Sequence, residues 1–157
     1  MDAIRQRLET LPLFASLDPE ALDAIAARGV WMSLAGGWEL FAEGAPSKAL
    51  HFNLSGRLVV VRKGTEGDQV VGYVRSGEPV GEMSMLSGEA HSASVYALRD
   101  TEILSVLRED VEELLHEHGE FAHALARIML MRARETSPHQ SRSSAPRIFA
   151  LVASSPS

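Results

Sequence analysis

The residues best equipped for chemistry lie together in Gly81-Glu82-Met83-Ser84-Met85-Leu86-Ser87-Gly88-Glu89-Ala90-His91-Ser92-Ala93, between two blocks of strand-like residues. Their types suit an anion cradle. Gly81 lets backbone approach a ligand closely, a single helical turn from Ser84 to Leu86 aims free N–H groups at a phosphate, and Ser92 adds a hydroxyl donor. Glu82 is a poor neighbour for a bare phosphate, but its carboxylate can accept hydrogen bonds from a sugar hydroxyl beside one. Donors for a phosphate next to an acceptor for a sugar point to a nucleotide rather than to phosphate alone.

Such a cradle needs elements on both sides to hold it. From Val30 to Leu107 the chain is punctuated by Gly36-Gly37, Gly44, Ser55-Gly56, Gly64, Gly67, Gly77-Glu78-Pro79 and Arg99-Asp100, with short apolar runs between them. That rhythm predicts a compact β unit. Leu50, Phe52 and Leu54 alternate with His51, Asn53 and Ser55, which predicts a strand with one buried face. Ser55-Gly56 then predicts a hairpin turn into Arg57–Arg62, and Arg99–Thr101 a second one between Ala93–Leu98 and Glu102–Leu107. A roll or barrel closes such strands.

Helices are expected on either side. Asp18-Pro19 is a helix start, with Leu17 and Leu22 placed for a hydrophobic staple and Gly29 as the stop, so residues 1 to 28 read as mostly helical. Glu109, Asp110, Glu112 and Glu113 favour the start of another helix, Gly119 interrupts it, and a last helix runs to about Arg134. Ile128-Met129-Leu130-Met131 is apolar all round that helix, which predicts core packing first and otherwise a ligand lid or contact with a second subunit in a homodimer. Residues 1–135 thus form one domain, mainly β with flanking helices. Residues 136–146 have linker composition, and 147–157 read as the start of a following, truncated segment.

The Gly81–Ala93 segment resembles the phosphate-binding cassette of cyclic-nucleotide-binding domains, found in catabolite-activator-type transcription factors, kinase regulatory subunits and gated channels. The family pattern is Gly-Glu, a short helix, then Arg-Ser/Thr-Ala. Leu13-Phe14-Ala15-Ser16-Leu17-Asp18, Gly37-Trp38-Glu39-Leu40-Phe41-Ala42-Glu43-Gly44 and Phe52-Asn53-Leu54-Ser55-Gly56-Arg57-Leu58 resemble further family motifs in the same order. The resemblance implies a jelly-roll-like double-stranded β-helix that binds a 3′,5′-cyclic purine nucleotide, cyclic AMP or cyclic GMP, with no other cofactor. It implies Gly81 and Glu82 at the ribose, backbone amides near Met83 and Ser84 with the Ser92 side chain at the cyclic phosphate, Ala93 completing the motif, and the last helix at the base.

His91 stands where that pattern has arginine. An arginine offers a charged planar fork to two phosphate oxygens, whereas a histidine with an ordinary pKa of about 6.5 is mostly neutral at pH 7. Losing such a contact weakens binding by roughly ten- to a hundredfold. The expectation is a sensor that binds weakly and controls an attached effector domain, with affinity rising as pH falls through about 6.5 if protonated His91 substitutes. A rival reading is a degenerate roll that serves as an interaction module. Another is the N-terminal fragment of a serine esterase, since Arg147-Ile148-Phe149-Ala150-Leu151-Val152 after a Ser/Pro linker is similar to the start of the domain that follows in patatin-like phospholipases carrying such sensors.

Composition narrows the alternatives. A net charge of −6 argues against broad nucleic-acid binding, and the tail has no helix-turn-helix pattern. Without cysteine there is neither a disulfide framework nor a thiolate metal site. No apolar run reaches the roughly 18 residues of a membrane span and the first residues lack a signal-peptide core, so the cytoplasm is the expected compartment. Gly-x-Ser-x-Gly, Walker-type and His-Glu-x-x-His motifs are all absent, so no catalysis is expected within these residues. His116, His118 and His123 are not spaced to put three rings on one helix face and are not expected to hold a metal.

Overall fold

Helices begin and end the part of the chain that the structure, a computed structural model, describes: residues 2–135. The proposed linker and following segment, 136–157, lie outside the described residues. At the start come α1 (Asp2–Glu9), α2 (Pro12–Ala15) and α3 (Pro19–Arg28). The Asp18 carboxylate accepts the Ala21 N–H at 2.8 Å and Pro19 occupies the first turn, where its missing N–H costs nothing. Leu17 and Leu22 are buried in one cluster on either side of this cap, as a staple requires. Gly29 ends α3 for lack of space rather than for backbone freedom. Its φ is an ordinary −82°, but a Cβ there would come within 2.5 Å of Leu104 Cδ1.

Eight strands follow: β1 (Val30–Leu34), β2 (Glu39–Phe41), β3 (Ala49–Ser55), β4 (Leu58–Gly64), β5 (Gly67–Val74), β6 (Pro79–Val80), β7 (Ser94–Ala97) and β8 (Thr101–Leu107), with α4 (Glu82–Ser87) between β6 and β7. They form two four-stranded sheets, β1-β8-β3-β6 and β2-β7-β4-β5, in which every paired strand is antiparallel. The chain then closes with α5 (Arg108–Glu117) and α6 (Gly119–Glu135), broken at His118, one residue before the Gly119 at which the sequence places the interruption.

Neither expected hairpin forms. β3 pairs with β8 and β6, whereas β4 pairs with β5 and β7, so Ser55–Arg57 carries the chain from one sheet to the other. Leu98–Asp100 makes the same crossing between β7 and β8. One corner ties both crossings: Leu98 N–H donates to the Arg57 carbonyl at 2.9 Å and Arg57 N–H to Thr101 Oγ1 at 3.2 Å. Gly56 sits in this corner at φ +118°, where a Cβ would lie 2.7 Å from Thr101 Cα, so a short Ser-Gly step makes a sheet change instead of a hairpin turn. The true hairpin is β4–β5, closed at the Gly64–Gly67 pair.

Strand alternation sorts the core into layers. On β8, Leu104 and Val106 face the helices while Ile103 faces the opposite sheet. The larger cluster joins Leu50, Phe52 and Leu54 of β3 to the flanking helices, including Phe14, Ile25, Phe121 and Leu125. A second, with Leu58, Val74, Val80, Val95, Ala97 and Ile103, fills the space between the sheets. The expected solvent face of β3 is therefore inward: Asn53 is fully buried and His51 half-buried. Asn53 answers its burial by donating through Nδ2 to the carbonyls of Gly56 (3.1 Å) and Val74 (3.2 Å). The expectation of core packing for residues 128–131 is corrected as well. Ile128 packs only partly on the core, while Leu130 and Met131 are 67% and 60% exposed, because a helix this close to the end of the roll has one covered face.

Candidate functional site

The cassette closes one side of a cavity of about 690 Å³, within the range of sites that enclose small molecules. Gly81 opens it at φ +85°, a left-handed position that suits glycine, and packs against the rings of His91 and Phe41. The turn starts α4, whose first intrahelical bond is Met85 N–H to the Gly81 carbonyl at 3.1 Å. The amides of Glu82, Met83 and Ser84 thus precede the ladder. The helix is longer than the single turn expected from Ser84 to Leu86. Met83 is 59% exposed at the cavity, and Ser84 spends its hydroxyl on the Ala90 carbonyl at 3.3 Å.

The opposite wall is apolar, with Val60, Val70, Val71 and Val74 from β4 and β5, and α6 borders the cavity with Met129, Arg132 and Ala133. All seven residues expected at the site, Gly81, Glu82, Met83, Ser84, His91, Ser92 and Ala93, line this one cavity.

Three features of the site lie outside the reach of the sequence. First, Glu82 is buried and accepts a hydrogen bond from Arg132 of α6 at 2.5 Å, with Glu78 3.9 Å from the same guanidinium. Second, His91 is not an exposed loop residue. It is 5% exposed and stacks on Phe41 with ring centroids 3.6 Å apart and 11° between planes. Phe41 also stacks on His51, at 5.8 Å, giving a column of three rings. Burial holds His91 below its ordinary pKa, helped by the positive charge of Arg108, and burial together with His91 pushes His51 down to about 4. Third, Arg62 at the end of β4 also lines the cavity and donates from Nε to the Ser92 carbonyl at 3.2 Å.

Ser105 meets His51 Nδ1 at 2.6 Å, and neither residue lines the cavity. The histidines 116, 118 and 123 are not gathered. Among the described residues, the ligand atoms of Asp18, His118 and Glu120 lie within 4.8 Å of one another at the surface, where Asp18 already caps α3.

The family model for the cyclic nucleotide-binding domain matches residues 31–118, from β1 through the cassette to the end of α5. This chain belongs to the cyclic nucleotide-binding domain family. Among solved structures, this cyclic nucleotide-binding domain is similar to the catabolite activator protein of Thermus thermophilus, with a TM-score of 0.71 and 34% identity over 79% of this chain and 59% of that one. Among curated proteins it is similar to the cyclic AMP receptor protein of Thermus thermophilus, 34% identical over 125 residues, and to lysophospholipase nte1 of Aspergillus oryzae, 31% identical over 121 residues. It spans 58% of the first and 8% of the second. The jelly-roll class expected from the motifs is thus the fold of the family, and the domain is of the regulatory kind. No helix among the described residues is long and apolar enough to cross a membrane.

Proposed function

We propose that this domain senses a 3′,5′-cyclic purine nucleotide, cyclic AMP or cyclic GMP, binds it weakly, and controls an effector domain attached to it in the cell's cytoplasm. The observation that carries the reading is the single cavity in which Gly81, Glu82, Ser92 and Ala93 face an apolar valine wall. Its charged and apolar parts match a ligand with an anionic end and a flat apolar end. Glu82 accepts the ribose hydroxyl, the amides of Met83 and Ser84 with the Ser92 hydroxyl take the phosphate, and α6 covers the base. Weak affinity follows from His91, whose buried ring is held neutral and so supplies no charge to the phosphate at pH 7.

The likeness to lysophospholipase nte1 supports a hydrolase as one class of effector, with any catalysis outside these residues. Leu130 and Met131 on the open face of α6 support a homodimer through this helix. The interaction-module reading also has an observation of its own. Glu82 already has a partner in Arg132, so its charge is balanced from within the domain.

Isothermal titration with cyclic AMP and cyclic GMP, alongside the His91→Arg variant, tests the reading. Saturable binding strengthened about tenfold or more by His91→Arg is the expected result. Silence from both proteins overturns it in favour of the interaction module.

A further inference from the structure

Whatever anion enters the cavity meets Glu82, a buried carboxylate, and must find a cation in compensation. Two arginines line the cavity, Arg62 and Arg132. Arg132 already shares its charge with two carboxylates: Nη1 donates to Glu82 at 2.5 Å, while Nη2, 3.9 Å from Glu78, makes no hydrogen bond. Arg108, which lies near His91, turns away to the carbonyls of Ser47 and Met85 and does not line the cavity. Arg62 differs from both. Its Nε donates to a neutral backbone carbonyl and no carboxylate pairs with it among the described residues.

Its position is fixed by strand register. β4 pairs with β7 so that Val61 lies opposite Ser94, which carries Arg62 past the end of β7 and against Ser92, the residue next to His91. The contact through Nε leaves both terminal nitrogens of the planar fork for a second acceptor.

We propose that Arg62 is the phosphate-anchoring residue of this domain, supplying across the strand pair the guanidinium that position 91 lacks. This rests on the reading of the cavity as a cyclic nucleotide site and names the group that makes it work. The ligand class it selects is a singly charged phosphodiester, placed between the Arg62 fork and the cassette amides with its ribose toward Glu82. A compensating arginine on β4 reaches the phosphate from the opposite wall, so its contact is formed without disturbing the His91–Phe41 stack.

The test is a double-mutant cycle by isothermal titration with cyclic AMP, using the unaltered domain, Arg62→Gln, His91→Arg and the double variant, with Lys63→Gln as a neighbouring exposed control. Arg62→Gln is expected to weaken binding about ten- to a hundredfold, and Lys63→Gln less than about twofold. In the His91→Arg background the loss from Arg62→Gln shrinks, because the new arginine takes over the phosphate. A merely structural role for Arg62 gives the same loss in both backgrounds. Equal affinities of the unaltered domain and Arg62→Gln overturn the proposal and leave the pocket reading intact, as does binding seen only after His91→Arg. Absence of binding in all the proteins overturns the pocket reading and this proposal with it.

Discussion

At the scale of single residues, the ring column His91–Phe41–His51 sets the acid sensitivity of the domain. His51 is held near 4 in the folded protein and titrates near 6.5 when unfolded, so below about pH 6.5 the unfolded chain binds the extra proton. Stability attributable to His51 is therefore complete above that pH, falls as pH drops, and is lost entirely below about 4, with the difference at pH 5 amounting to about 2 kcal/mol. His91, also lowered, adds to the loss in the same direction. Urea unfolding at pH 7 and pH 5 checks this: His51→Gln is expected to show a markedly smaller drop between the two than the unaltered domain, and an equal drop would refute the assignment. The same column moves the expected pH response of binding. A neutral, stacked His91 gains its proton only below the ordinary histidine range, so affinity for a cyclic nucleotide stays flat between pH 8 and pH 7 and rises only on the acid side of 6.5. Titration calorimetry across that interval reads it directly. None of this was visible in the sequence, where His51 and His91 are forty residues apart and only the packing of one sheet on the other brings them to the Phe41 ring.

At the scale of elements, the sequence was most legible where local chemistry decides. Asp18-Pro19 names its own cap, and Gly119 its own break. Asp18→Ala is expected to lower the denaturant midpoint, because the Ala21 N–H loses its cap. The short helix after Gly81 and the residues of the cassette were legible for the same reason. Partnership between strands was not. Alternation along β3 and β4 is the same whether the two pair or face each other across a core, and what separates the cases is Gly56, whose corner is tied by Thr101 from a distant part of the chain. Gly56→Ala must both strain a φ of +118° and clear backbone atoms within 2.8 Å. A loss of about 2–4 kcal/mol is expected. If the crossing were an ordinary hairpin turn, thermal unfolding of this variant would match that of Gly67→Ala, which shares a left-handed φ of +113° but has nothing within 4 Å of the added Cβ.

At the scale of the whole molecule, the roll and α6 meet through the Arg132–Glu82 contact, beside the cavity and near the end of the described chain. Arg132 occupies Oε2 of Glu82, one of the two carboxylate oxygens open to a ribose hydroxyl. A ribose hydroxyl that takes Oε2 competes with Arg132 for it, and displacement of Arg132 loosens the tie between α6 and the cassette. A ligand that displaced Arg132 in this way would act on the last turns of α6. Hydrogen exchange follows it directly: saturating cyclic AMP is expected to speed exchange of the amides from residue 128 to 135 in the unaltered domain. In Arg132→Met the tie is already gone, so exchange there is fast with or without nucleotide, and leaving Glu82 without its partner lowers stability by about 1–3 kcal/mol. Exchange in α6 that does not respond to nucleotide, in a domain shown to bind it, would mean that the helix is a fixed wall of the site and that any signal leaves by another surface.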